Sequence, residues 1–304
     1  MQTLENPAIR PSLVEGGETY ASITETIARP VEAKAPRWWQ IGMLGTLSLI
    51  AVFLGSIGWL WWDGVGVWGL NNPVFWAFDI INMVFWVGIA HTGTAVTSFL
   101  TLSRQNWKNS INRIAEAMTI FSVSCAALFP VIHEGRSWML HYFMPYPSQM
   151  WMWPNFKSPI FADVWALQAY LYVSAVFWYI GMIPDLASLR DRAKNKVAAW
   201  AYGVFALGWR SSARHWNHYE RAYLIMAGIG TPLVLSVCAI VSMSFAPSVI
   251  PGWHATIFPV YFLFGALGAG FACLVLLTVF TRKVFGFEKI ITEKHLDLLN
   301  KCTL

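Results

Sequence analysis

The densest chemistry in this chain lies at residues 129–136, which read Phe-Pro-Val-Ile-His-Glu-Gly-Arg. An imidazole, a carboxylate and a guanidinium (His133, Glu134 and Arg136) fall within four residues, where the apolar run 114–132 stops. Charged groups at the end of a spanning helix can reach water, so an interfacial cap is the plain reading. Acid–base chemistry is the sharper one: a neutral imidazole near a carboxylate takes up a proton close to neutral pH. Asp79, His91, Glu116, Asp163 and Asp185 also stand within apolar segments or at their ends. Such a group at mid-membrane costs about 2.5–3.5 kcal/mol on insertion scales, so it normally faces the bundle interior and marks a pathway or a site.

Two polar stripes accompany these groups. His91, Thr94, Ser98 and Thr101 recur at spacings of three and four, which puts them on one helix face. Glu116, Thr119 and Ser122 make a similar stripe. Hydroxyls in such stripes serve as hydrogen bonds between helices. With His91 and Glu116 among them, the alternative is a water-accessible half-channel for protons.

The elements that must position these residues follow from composition. The 304 residues are 56% hydrophobic and 12% charged, against about 25% charged in soluble domains. Six runs, roughly 41–62, 74–101, 114–132, 161–183, 222–245 and 255–280, are long enough to span a hydrocarbon core of about 30 Å. The expected fold is all-α: a polytopic integral membrane protein with a four-helix transmembrane bundle plus additional helices. Trp38, Trp39, Trp59, Trp61, Trp62, Trp151, Trp153 and Trp253 crowd the ends of the runs as an aromatic belt. The tail, the 102–113 and 184–221 loops and the residues after 281 hold 19 Lys/Arg, while the other loops hold only Arg136 and Lys157. Both termini are therefore expected in the cytoplasm, and His133 at the outer face. The net charge of +5 is a topological signal rather than a nucleic-acid footprint.

By segment, 1–37 reads as a mostly disordered cytoplasmic tail with no signal-peptide core. Residues 38–63 read as a peripheral spanning helix, 64–246 as the four-helix bundle that holds the site, and 247–304 as the start of a second, incomplete bundle. The aromatic loop 137–160 suits the interface or a covering protein better than water. A surface helix is expected around 186–209. Residues 288–304 look like the cytoplasmic lead-in to another span. Cys125, Cys238, Cys273 and Cys302 form no metal or iron–sulfur motif. His91 and His133 lie at opposite depths and cannot easily share a haem iron. No metal, haem or iron–sulfur cluster is expected in this chain.

A quinol fits acid–base groups at the outer edge under an aromatic loop: it is amphipathic, lives in the bilayer, and sheds two protons and two electrons when oxidised. The residues resemble a known group, the polysulfide-reductase-type (NrfD-like) membrane subunits, and among them the quinol-oxidising membrane subunits of bacterial alternative complex III. The matching stretches are Gly64-Val-Gly-Val-Trp-Gly-Leu-Asn-Asn-Pro73, Gly88-Ile-Ala-His-Thr-Gly-Thr94, Arg113-Ile-Ala-Glu-Ala-Met-Thr-Ile-Phe121 and the 129–136 octapeptide. Trp153-Pro-Asn-Phe-Lys-Ser-Pro159, Trp178-Tyr-Ile-Gly-Met-Ile-Pro-Asp-Leu-Ala187 and Pro251-Gly-Trp-His-Ala-Thr-Ile-Phe-Pro259 complete the set.

The resemblance implies two four-helix bundles with quinol, expected to be menaquinol, bound in the first near the outer face. It implies His133 and Asp163 as the catalytic pair, with Asp79, Glu134 and Arg136 around the quinol. His91, Thr94, Ser98, Glu116 and Thr119 would line an inner proton path. The implied partners are an iron–sulfur subunit, multihaem cytochrome c subunits and a second related membrane subunit, in a bacterial cytoplasmic membrane. Two departures stand out. The family pattern continues into further helices beyond residue 281, and it carries an acidic residue shortly before Pro251, where this chain reads Ser242-Met-Ser-Phe-Ala246. Two other classes stay open: a membrane anchor of a polysulfide- or DMSO-reductase-type complex, and a secondary transporter built on broken helices, for which Thr231-Pro232 is the one candidate break.

Overall fold

The computed structural model describes residue 14 and residues 16–69, 78–133, 135–148, 150–246 and 257–303. Among these the chain is all-helical: α1 (Tyr20–Glu32), α2 (Arg37–Asp63), α3 (Phe78–Leu102), α4 (Lys108–His133), α5 (Pro159–Arg192), α6 (Lys196–Phe205), α7 (Ala213–Phe245), α8 (Phe258–Phe285) and α9 (Glu293–Thr303). Six of them, α2, α3, α4, α5, α7 and α8, are long and apolar enough to cross a membrane. A helix answers each backbone group within its own segment, which hydrocarbon demands. The helices overrun the apolar stretches at one end, where Lys108, Arg190 and Arg192 and the first turns of α7 continue them.

Helix α3 is the hub. It packs on α4, α7 and α8, and α5 closes a four-helix ring against α4 and α7. The sequence of α3 explains this: Gly88, Ala90, Thr92, Gly93, Thr94, Thr97 and Ser98 are all buried, and small residues let helix backbones approach where lipid offers no hydrophobic drive. At Gly93 a Cβ would strike Thr119 Oγ1 and the Ala115 carbonyl. Helix α2 stands apart, with only Leu60 buried. Its outer end is tied down by Trp61 Nε1, which donates to Ser137 Oγ at 3.0 Å, and by an edge contact between Trp61 and Trp138.

Three expectations are corrected. Within the tail, expected to be mostly disordered, residues 20–32 form α1, which is amphipathic and opens on a capping box between Thr19 and Ser22. It is pinned by Glu18 to Lys289 at 2.8 Å and by Glu32 to Arg192 at 2.5 and 3.1 Å. Those hydrogen bonds hold both carboxyls below the usual carboxylate range. The partners are distant in sequence, so composition alone could not show them. The surface helix expected at 186–209 is two pieces, since α5 runs on to Arg192 and α6 starts afresh on an Asn195 cap. The break at Thr231-Pro232 is absent, because α7 passes through Pro232 without interruption.

The C-terminal lead-in folds as α9, with Leu299 buried against Leu100 and Ile111 at the inner ends of α3 and α4. Cys302 on this helix is exposed. A membrane-impermeant maleimide is expected to label it in inside-out vesicles. Labelling in intact cells or spheroplasts would invert the topology.

Candidate functional site

At the outer end, Asp79 in the first turn of α3 meets His133, the last residue of α4. His133 Nδ1 lies 2.5 Å from Asp79 Oδ2, and the two side chains are 18% and 8% exposed. With the carboxylate as acceptor, Nδ1 carries the proton and Nε2 is left with its lone pair. Asp79 Oδ1 is buried and has no hydrogen-bond partner. The ring of Trp68 stacks on His133 at 6.1 Å and 23°. Trp68 ends a 3-10 turn, Val65–Trp68, that follows α2. Gly135 lets this turn close over the site: its φ of +64° is a left-handed conformation that favours glycine, and a Cβ would strike Val65.

Asp163, in the second turn of α5, is buried, and its Oδ1 accepts from Ser244 Oγ of α7 at 2.9 Å. The carboxylate that contacts His133 is thus Asp79; Asp163, which the resemblance pairs with that imidazole, bonds to Ser244 of α7. Ser244 falls in the stretch where the resemblance led one to look for an acid. Arg136 is exposed and has no ion pair among the described residues. Glu134 lies outside the described residues. Beyond the site, the aromatic loop and the start of α5 enclose a cavity of about 500 Å³ lined by Tyr142, Phe143, Tyr146, Trp153 and Phe161 among others.

A second polar centre occupies the inner half. Glu116 is buried, paired with Arg113 Nη1 at 2.7 Å and accepting from the Tyr223 hydroxyl of α7. Asn112 donates to Glu116 at 3.3 Å and also to Tyr223. Arg113 reaches on to Asp185 at 2.8 Å and to the Gly181 carbonyl, which ties α4 to α5. One turn outward, Thr119 donates to the Ala90 carbonyl at 3.1 Å and lies 3.4 Å from Thr94 Oγ1. Thr94 also accepts from Tyr170 at 2.9 Å and lies 3.4 Å from Ser174. Tyr170 stacks on His91 at 4.8 Å and 14°. His91 Nδ1 is bonded to the Val87 carbonyl at 2.6 Å, and its buried Nε2 has no partner. Ser98, expected in the same row, is buried without a hydrogen bond against Gly230.

Glu116, Thr119, Thr94 and His91 are therefore brought into one column, and Asp79 and His133 into another centre. Between them lies a layer of Met83, Val87, Val123, Ala126, Leu167 and Val241. Along α3 the centres are twelve residues apart, about 18 Å at helical rise. Sequence reasoning missed Tyr170, Ser174, Arg113, Tyr223, Trp68 and Ser244. Tyr170 and Ser174, four apart on α5, form a third polar stripe that the spacing rule could have found.

Fold and site define a class: a multi-pass helical membrane protein with acid–base groups buried toward each face. Among the described residues no group of three or more His, Cys, Asp or Glu could hold a metal ion. The chain matches the family model described as polysulphide reductase, NrfD, over residues 66–300, and it belongs to that family. It is accordingly a membrane subunit of a redox complex, in a family whose members interact with quinone and pair with iron–sulfur subunits. No curated protein matches the chain.

Proposed function

We propose that this chain oxidises quinol near the outer face of a bacterial cytoplasmic membrane, as the ActC-type membrane subunit of an alternative complex III. The observation that carries the reading is the Asp79–His133 pair, with one carboxylate oxygen left unpartnered at 8% side-chain exposure. Asp79 holds the imidazole in the tautomer whose Nε2 accepts a hydroxyl proton, and it stabilises the imidazolium that results. Asp163 is the second acid–base group, set by Ser244. The two electrons leave to a partner iron–sulfur subunit and on to multihaem cytochrome c subunits; the protons leave to the outer side. The quinol is taken to be menaquinol, and a second NrfD-like subunit completes the membrane part. Residues 64–246 form the quinol-binding bundle and 247–304 begin a second. The test is purification from native membranes: iron–sulfur and multihaem subunits should co-purify with quinol-dependent reduction of the haems. Intact complex without that reduction would leave the chain as an anchor.

The inner column serves proton movement in this reading, from Glu116 through Thr119, Thr94 and Tyr170 to His91. The apolar layer keeps it separate from the quinol centre, so coupling passes through the shared helices α3 and α4. Glu116→Gln is expected to spare quinol oxidation within about twofold in detergent, because no part of the acid–base pair is touched. In sealed vesicles it should abolish proton uptake from the inner side. Equal loss of both activities in detergent would merge the two centres.

A further inference from the structure

On the cytoplasmic side the chain passes from α1 to α2 through residues 33–36, and this elbow encloses a cleft of about 530 Å³ against the end of α8. Arg29 and Lys34 are the ionisable side chains that line it; Trp38, Trp39, Val284 and Phe285 supply apolar wall. No carboxylate lines it among the described residues; Glu288 stands nearby, since its Oε2 and the Arg29 Nη2 both lie within 4 Å of where a Cβ on Gly286 would be, but the two form no ion pair. Glu32, adjacent in sequence, is committed to Arg192. Arg29 and Lys34 have no ion-pair partner among the described residues, and Lys283 at the end of α8 adds a further cation at this level. Helix α2 begins at the same elbow on Pro36, without a side-chain cap and without an acid in its first turn. The Trp39 and Gln40 N–H groups bond to the Pro36 carbonyl, which leaves those of Arg37 and Trp38 without a backbone partner among the described residues, at the positive end of the helix dipole beside the elbow.

We propose that the cleft binds an anionic phospholipid of the cytoplasmic leaflet, with the phosphate between Arg29 and Lys34 and the acyl chains running down α2. The lining decides for a lipid over a soluble anion. Trp38 and Trp39 are half-exposed at the headgroup level, and the apolar flank of α2 below them, including Leu44 and Leu47, is open to hydrocarbon. A soluble phosphate gains nothing from that flank, whereas basic pockets at cytoplasmic helix ends suit anionic headgroups. The lipid also accounts for how α2 is held at its inner end, where the helix buries no residue of its own.

The test uses the complete complex in mild detergent, with bound lipid read by native mass spectrometry during titration with phosphatidylglycerol or phosphatidylcholine. Arg29→Gln with Lys34→Gln is expected to weaken phosphatidylglycerol retention roughly thirtyfold, from about 1 kcal/mol per cation near the surface. Arg210→Gln with Arg214→Gln, elsewhere on the same face, should leave retention unchanged, and Arg29→Lys with Lys34→Arg should keep it. Should the double glutamine variant fail to assemble, the wild-type complex decides: a phosphatidylglycerol retained over phosphatidylcholine, and not displaced by inorganic phosphate, supports the site. Equal retention of the two lipids, or full displacement by phosphate, overturns it.

Discussion

His133→Ala and Asp79→Asn are each expected to lower quinol oxidation by the assembled complex about 10²-fold, the lower bound for a positioned acid–base group. The two act by different routes. Alanine removes the proton acceptor. Asparagine keeps the shape but can donate to Nδ1, which favours the tautomer whose Nε2 already carries a proton. Asp163→Asn should cost at least about tenfold, since Ser244 and not His133 holds that carboxyl in place. Steady-state turnover with a soluble quinol analogue, beside a gel of the intact complex, separates chemistry from assembly. An interfacial cap predicts near-wild-type rates for His133→Ala and Asp79→Asn; that result, with quinol still bound, would move the site elsewhere.

Gly93→Val should nearly abolish assembly. At residue 93, α3 and α4 leave no room for a side chain: a Cβ would meet Thr119 Oγ1 and the Ala115 carbonyl, and backbone cannot swing away as a side-chain tip can. Overpacking of a tight core costs about 1–3 kcal/mol, and the upper end applies when the obstacle is a helix backbone. A loss of about 3 kcal/mol lowers the folded-to-unfolded ratio by roughly two orders of magnitude, which lowers the yield of assembled protein where stability is marginal. The same shift separates Thr119 from the Ala90 carbonyl and Thr94, so residual protein should show altered proton coupling. Gly228→Ala on α7, where a Cβ meets nothing within 4 Å, should assemble normally. Fluorescence-detected size exclusion of tagged protein reads both variants; wild-type yield for Gly93→Val would show that the helices pack further apart.

Hydropathy is a property of the chain read in one dimension, and so the number of spanning helices and their approximate limits were legible without any structure. The family resemblance was legible for a related reason, since its motifs are contiguous stretches such as 88–94 and 113–121. Helical spacing also sufficed to group Thr94 with His91 and Thr119 with Glu116, because residues three and four apart share a face whatever the helix packs on. Which faces then meet is another matter. That Asp79 lies beside His133, across 54 residues of chain, depends on the rotation of α3 and α4 about their axes. That rotation is set by where Gly93 and the buried hydroxyls let α3 and α4 touch, and where Gly88 lets α3 approach Ala266 of α8. The resemblance pairs Asp163 with the same imidazole, and depth, which is all that sequence position gives, does not tell Asp163 from Asp79. Its true partner, Ser244, sits on α7, and Tyr223 of that helix reaches Glu116 in the same way. The sequence by itself determined which groups lie at each depth, since helical rise and the apolar runs set depth; only the tertiary structure decided which of them touch, since contact depends on how closely the small residues allow helices to approach and turn.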